Sequence, residues 1–276
     1  FVYEQNFDRA EIVFKSLLQK GKSVKEKKAG LRALAELYTY LGRYKEAIQL
    51  VDEIIKINEE LKDTRELALS YSEKMFLLVS GPNDRQAALE VKEKIEQLGD
   101  GSDQIADFYL FNAYLMMGRY EDALATTKTH LAKGFPFSRV KLVTASVARL
   151  KGQYPKAITL LKDESRSGSC YDKVFVKYLL AECFVLAEDV EEARKTVGQV
   201  RESKLQADPQ AFGLQAIIYP RTYYLDGLIN EKQGNHKEAA LSYNRLLVLW
   251  KNADPDLPIL AEVKARVEQY QAADTH

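Results

Sequence analysis

The feature that most restricts what this chain can fold into is a pattern that occurs twice, 34 residues apart, within 109–161. Each copy has an apolar-periodic stretch, a glycine turn, an aromatic and a later alanine: Gly118-Arg119-Tyr120 with Ala123, then Gly152-Gln153-Tyr154 with Ala157. Apolar residues recurring at three and four mark one helical face. The glycine stands where the first helix must stop and the chain must turn. Two short amphipathic helices cannot bury their apolar faces alone, so such units stack on one another.

The small residue of each second helix serves as a ruler for the other copies. It falls at Ala10, Ala47, Ala88, Ala123, Ala157, Ala193 and Ala239, with gaps of 37, 41, 35, 34, 36 and 46. Every departure from 34 is therefore an insertion. The full turn pattern recurs as Leu41-Gly42-Arg43-Tyr44 with Ala47, Met117-Gly118-Arg119-Tyr120 with Ala123, Lys151-Gly152-Gln153-Tyr154 with Ala157, and Gln233-Gly234-Asn235-His236 with Ala239. A 34-residue helix-turn-helix with L-G-x-x-Y and a later alanine resembles the tetratricopeptide repeat (TPR). The resemblance implies an all-α fold, a right-handed superhelix of helix pairs, closed by a C-terminal capping helix.

On that ruler, residues 1–24 hold only the second half of a repeat, which suggests a natural chain that extends upstream or a lone N-terminal helix that caps the array. Six helix pairs follow at about 28–61, 69–102, 104–137, 138–171, 174–207 and 208–252, and a capping helix occupies 254–272. The helix formers of 62–68 predict a lengthened first helix in the second pair. Ser102 or Asp103 is the expected cap of the third pair, and a loop is expected from Ser165. In the fifth pair Glu188-Asp189 replaces the turn glycine, which predicts a different turn. Asp208-Pro209 reads as a helix start, Pro220 as a kink or division, and Gly227 opposite Ala239 as the closest helix contact.

Composition excludes several functions. Lys plus Arg equals Asp plus Glu at 40 each, so no bulk field draws the chain to nucleic acid or an anionic membrane. No apolar run is long enough for membrane insertion, and the first residues given do not read as a basic-then-apolar signal sequence. Cys170 and Cys183 form no C-x-x-C and read as space-filling residues; a cytoplasmic location fits. His130, His236 and His276 are scattered, so no metal site is expected. Phosphate-loop and nucleophile-elbow motifs are missing, and pairs such as Glu121-Asp122 and Glu191-Glu192 read as solvated faces. No catalytic residue and no cofactor is expected, and the chain does not read as an enzyme.

The repeat resemblance implies a concave surface lined by the first helix of each pair. Its inward places give Phe108 and Asn112, then Leu142 and Arg149, then Tyr178 and Glu182, then Arg221 and Tyr224. Aromatics beside fixed polar groups suit a peptide or helix held by anchors. Phe108, Phe175 and Leu142 fit equally well as seals between repeats. The repeats that grip a chaperone's C-terminal carboxylate carry Lys and Asn, then Asn, then Lys and Arg; this chain offers Phe108 and Asn112, Val143, then Phe175 and Leu179, or earlier Arg32 and Glu36, Glu73 and Leu77. That pattern is not met.

The stretch from Tyr243 through Trp250, Asp254, Pro255 and Pro258 to Ala261 and Arg266 resembles the last repeat and cap of TPR regions in bacterial multidomain signalling proteins. There such regions follow a kinase, cyclase or winged-helix regulator domain. The resemblance implies an interaction scaffold with a protein or peptide partner. The alternative is a domain that senses a small ligand or peptide in a pocket walled by residues 212–219.

Overall fold

In the computed structural model residues 6–99, 104–132, 140–167, 170–203 and 212–273 are described. They form the helices α1 (Phe7–Lys20), α2 (Val24–Tyr40), α3 (Tyr44–Leu61), α4 (Thr64–Ser80), α5 (Arg85–Gln97), α6 (Gln104–Met117), α7 (Tyr120–Ala132), α8 (Val140–Leu150), α9 (Tyr154–Ser167), α10 (Cys170–Leu186), α11 (Val190–Ser203), α12 (Phe212–Lys232), α13 (His236–Leu249) and α14 (Pro258–Ala273). Local sequence starts several of them. Ser23 and Glu26 form a reciprocal capping box at α2, and Asp63 and Asp84 accept from the third backbone N–H of α4 and α5. Each such cap contributes about 1 kcal/mol.

The seven alanines of the ruler are all buried. A larger side chain at any of them would hold the paired helices apart. The chain divides into two compact units. In the first, Phe1–Met117 with Asn252–Leu257, α1 packs on α2, α2 on α3, α3 on α4, and α4 on α5 and α6. Leu34, Tyr44, Ile54, Met75, Phe76 and Phe111 fill its core. In the second, Gly118–Lys251 with Pro258–His276, α8 packs on α9, α9 on α10, α10 on α11 and α12, α12 on α13, and α13 on α14. Leu142, Leu161, Phe184, Leu214, Tyr243 and Val263 lie inside it.

One turn geometry recurs among the described junctions. A residue with positive φ follows the first helix, and the next N–H bonds back five residues: Arg43 N to Tyr38 O, Gln153 N to Ala148 O, and Asn235 N to Asn230 O, at 2.8, 2.9 and 2.9 Å. Gly42, Gly152 and Gly234 hold the positive φ. The fifth pair corrects the expectation of a different turn: Glu188 itself takes φ 62°, and Asp189 N bonds to Phe184 O at 2.9 Å. Packing of the buried Ala181 and Ala193 holds the pair, so the turn is made despite the strain of a side chain there.

Other expectations change in detail. Lys62 closes α3 in the left-handed region and Asp63 opens α4, so 62–68 supplies a turn as well as helix. α9 runs to Ser167, past the expected loop start. α12 is not divided at Pro220 but passes through it. Gly227 is required less by Ala239 than by Tyr243, whose ring fills the place of its missing side chain, 2.0 Å from where a Cβ would sit. Ser102, Asp103, Asp208 and Pro209 lie outside the described residues.

In the first unit, Asp254 joins the turn before α3. Its N–H donates to Gly42 O at 3.0 Å, its Oδ2 accepts from Lys45 N at 2.9 Å, and Asp256 pairs with Lys45 Nζ at 2.9 Å. α3 has no side-chain cap of its own, since Arg43 stands at that place. Asp254 supplies the missing acceptor. At the other end of this unit α1 covers α2 with Ala10 and leaves Ile12 67% and Leu17 47% exposed.

Candidate partner-binding site

Helix α10 is apolar on most of its circumference because α9, α11 and α12 all pack on it. Lys173 and Lys177 mark one polar side of it, and a second polar face lies on another side. Tyr178 and Glu182, one turn apart, share that second face. Arg149 reaches it from the last turn of α8 and Arg221 from α12. The structure thus brings together four of the residues expected to face a partner.

Arg149 Nη1 lies 3.5 Å from Glu182 Oε2, with the two side chains 29% and 23% exposed. Arg149 Nε is buried and makes no hydrogen bond. Tyr178 is only 5% exposed. Burial pushes its hydroxyl well above the usual tyrosine range; the Glu182 carboxylate adds to this, and the Arg221 and Arg149 guanidinium groups oppose it. Cys183, next in sequence, is fully buried and its thiol is pushed up to about 12, chiefly by burial. It is a packing residue, not a nucleophile.

The other four expected residues sit differently. Leu142 is 0% exposed and Phe108 is buried, so both seal their units. Asn112 is also buried, and its Nδ2 donates to Phe108 O at 2.8 Å on its own helix. Tyr224 is engaged by α14: its hydroxyl donates to Glu262 Oε1 at 2.7 Å, and Arg266 bridges Glu262 at 2.8 Å and Glu231 at 2.5 Å. His236 is exposed and stacks on Tyr270 of α14, with ring centroids 4.8 Å apart.

The first unit holds a polar cluster of Lys28, Arg32, Glu36, Glu66 and Glu73. Glu66 pairs with Lys28 and Arg32, both at 3.0 Å, and Arg32 Nε lies 4.0 Å from Glu73. Glu36 makes no hydrogen bond or ion pair among the described residues. Burial raises the pKa of Glu36, the Glu73 charge raises it further, and Arg32 opposes both. The Glu73 carboxyl is raised as well, first by burial. Arg32 and Glu36 stand at i and i+4 of one helix, a visible signal of a shared face. Their link to Glu73 across two helices was not visible.

Among the described residues no group of His, Cys, Asp or Glu is arranged to hold a metal ion. No helix among them is long and apolar enough to cross a membrane.

Residues 31–74 match the tetratricopeptide repeat family model. The crystal structure of a tetratricopeptide repeat protein from Parabacteroides merdae is similar over 98% of this chain and 94% of that one, with a TM-score of 0.55 at 15% identity. The fold is that of a TPR protein. No curated protein matches the chain. TPR arrays are in general surfaces for protein–protein interaction, and their repeats act as scaffolds. The matched residues span most of α2, all of α3 and the first part of α4, and in the second unit α14 packs on α13.

Proposed function

We propose that this chain is a protein interaction module that holds a peptide or helical segment on the first-helix face of its second unit. The observation that carries the reading is the polar patch of Arg149, Glu182 and Arg221, drawn from three successive first helices and left partly open. Side chains on successive repeats form a row that an extended segment can follow. The resemblance of the stretch from Tyr243 to Arg266 supports a role as the TPR region of a larger bacterial signalling protein.

The test compares proteins retained from a lysate by the parent, by Arg149→Ser with Arg221→Ser, and by Leu241→Lys with Val248→Lys. The second pair changes the exposed side of α13. A protein lost only with the arginine variant supports the reading, provided circular dichroism shows that the variant is folded. Loss only with the α13 variant would move the binding surface to the second helices and end the proposal.

A further inference from the structure

A guanidinium carries five donors in a rigid fork matched to the two oxygens of a carboxylate. In Arg149 none of them makes a hydrogen bond among the described residues. Its ion pair with Glu182 spans 3.5 Å, longer than the ~2.7–2.9 Å of a charge-assisted hydrogen bond. Its Nε is buried without an acceptor. A buried donor in that state has lost its water and gained nothing in exchange. A carboxylate docked on the exposed Nη part of the fork would supply hydrogen bonds that Glu182 does not.

Glu182 shows that a carboxylate fits here, yet it is fixed to α10 beside Tyr178 and does not reach hydrogen-bonding distance. We infer that Arg149, with Tyr178 and Arg221 lining the same place, receives an acidic side chain of the partner segment, and that Glu182 is a resident carboxylate which competes with it. This rests on the reading of the first-helix face as the binding face. The ligand chosen is an acidic side chain because the group already there is one. The competition has a consequence of unusual sign. Removing the charge of Glu182 strengthens binding, whereas a residue that merely supports the site would weaken it.

The experiment incubates the full chain with pools of end-blocked nonapeptides, flanks randomised and centre fixed as Glu, Gln or Lys, and weighs the retained peptides by mass spectrometry. Glu-centred peptides should be retained about tenfold over Gln-centred ones, the ratio expected of one charge-assisted hydrogen bond. Glu182→Gln, nearly isosteric, should raise that retention, and Arg149→Met should erase the preference. Equal retention of Glu and Gln centres, or weaker retention by Glu182→Gln, overturns the inference while leaving the face as a peptide site. A preference seen only with unblocked C-termini also overturns it, because the site would then take a chain end. If no centre is retained, the broader reading of the face fails together with this one.

Discussion

Replacing Gly227 by Ala isolates the closest approach within the last repeat. The added Cβ would lie 2.0, 2.3 and 2.5 Å from three ring atoms of Tyr243. Carbon atoms in contact need about 3.5–4.0 Å. The ring must therefore retreat by roughly 1.5 Å, and Tyr243 is 0% exposed with Tyr224 beside it, ring centroids 6.1 Å apart. Overpacking of this kind costs about 1–3 kcal/mol, offset in part by the ~0.5–1 kcal/mol that alanine gains over glycine inside a helix. The same substitution at Gly198 of α11 meets nothing within 4 Å. Gly198→Ala keeps the gain without the clash, and both glycines lie in one compact unit. Thermal and urea unfolding followed by circular dichroism should show Gly198→Ala raising the midpoint and Gly227→Ala lowering it. The two should differ by about 1–3 kcal/mol, at roughly 2–4 °C per kcal/mol for a chain of this size. Adding Tyr243→Leu to Gly227→Ala should recover part of the loss beyond additivity. The clash argument would be falsified if both glycine variants shifted the midpoint alike.

Three further outcomes follow from the same geometry. Asp254→Ala removes the acceptor of Lys45 N and should cost about 0.5–2 kcal/mol, as loss of a helix cap does; unchanged hydrogen exchange at the Lys45 amide would refute it. Gly152→Ala, at φ +70° with nothing within 4 Å, should cost about 1 kcal/mol through backbone strain alone, and a neutral result by urea unfolding would contradict that. Glu36 has a raised pKa in the folded chain from burial and from Glu73, with Arg32 opposing. Its contribution to stability is thus full below the ordinary carboxyl value of 4.5 and lost as pH rises through the raised one. Glu36→Gln should melt above the parent near neutrality and converge with it in acid; a gap constant with pH would rule this out.

The helix pairs were legible because their period is carried by small and aromatic residues whose reason is steric. An alanine that must be buried, such as Ala47 or Ala193, leaves a mark at every copy. The turn at Glu188 was misread because a glycine advertises positive φ, whereas a glutamate forced there by packing on both sides advertises nothing. In the candidate site, the nearness of Arg149, Tyr178, Glu182 and Arg221 was legible from their repeat places alone. Their burial was not: an inward place on α8 leaves Arg149 half-buried and puts Leu142 in the core. Tyr224 was expected to meet a partner but meets Glu262, since helical phase says nothing of what a later helix covers.

In a stacked array nearly every bond is made with a neighbour, so each repeat can form soon after it leaves the ribosome. The Lys45 amide is different. Its acceptor on Asp254 lies 209 residues downstream, which at ~5–20 residues per second arrives on the order of 10–40 s later. Until then the Lys45 amide lacks its Asp254 acceptor. The start of α3 is therefore finished by a segment made much later, and a backbone cut anywhere between the two leaves α3 dependent on a fragment no longer joined to it.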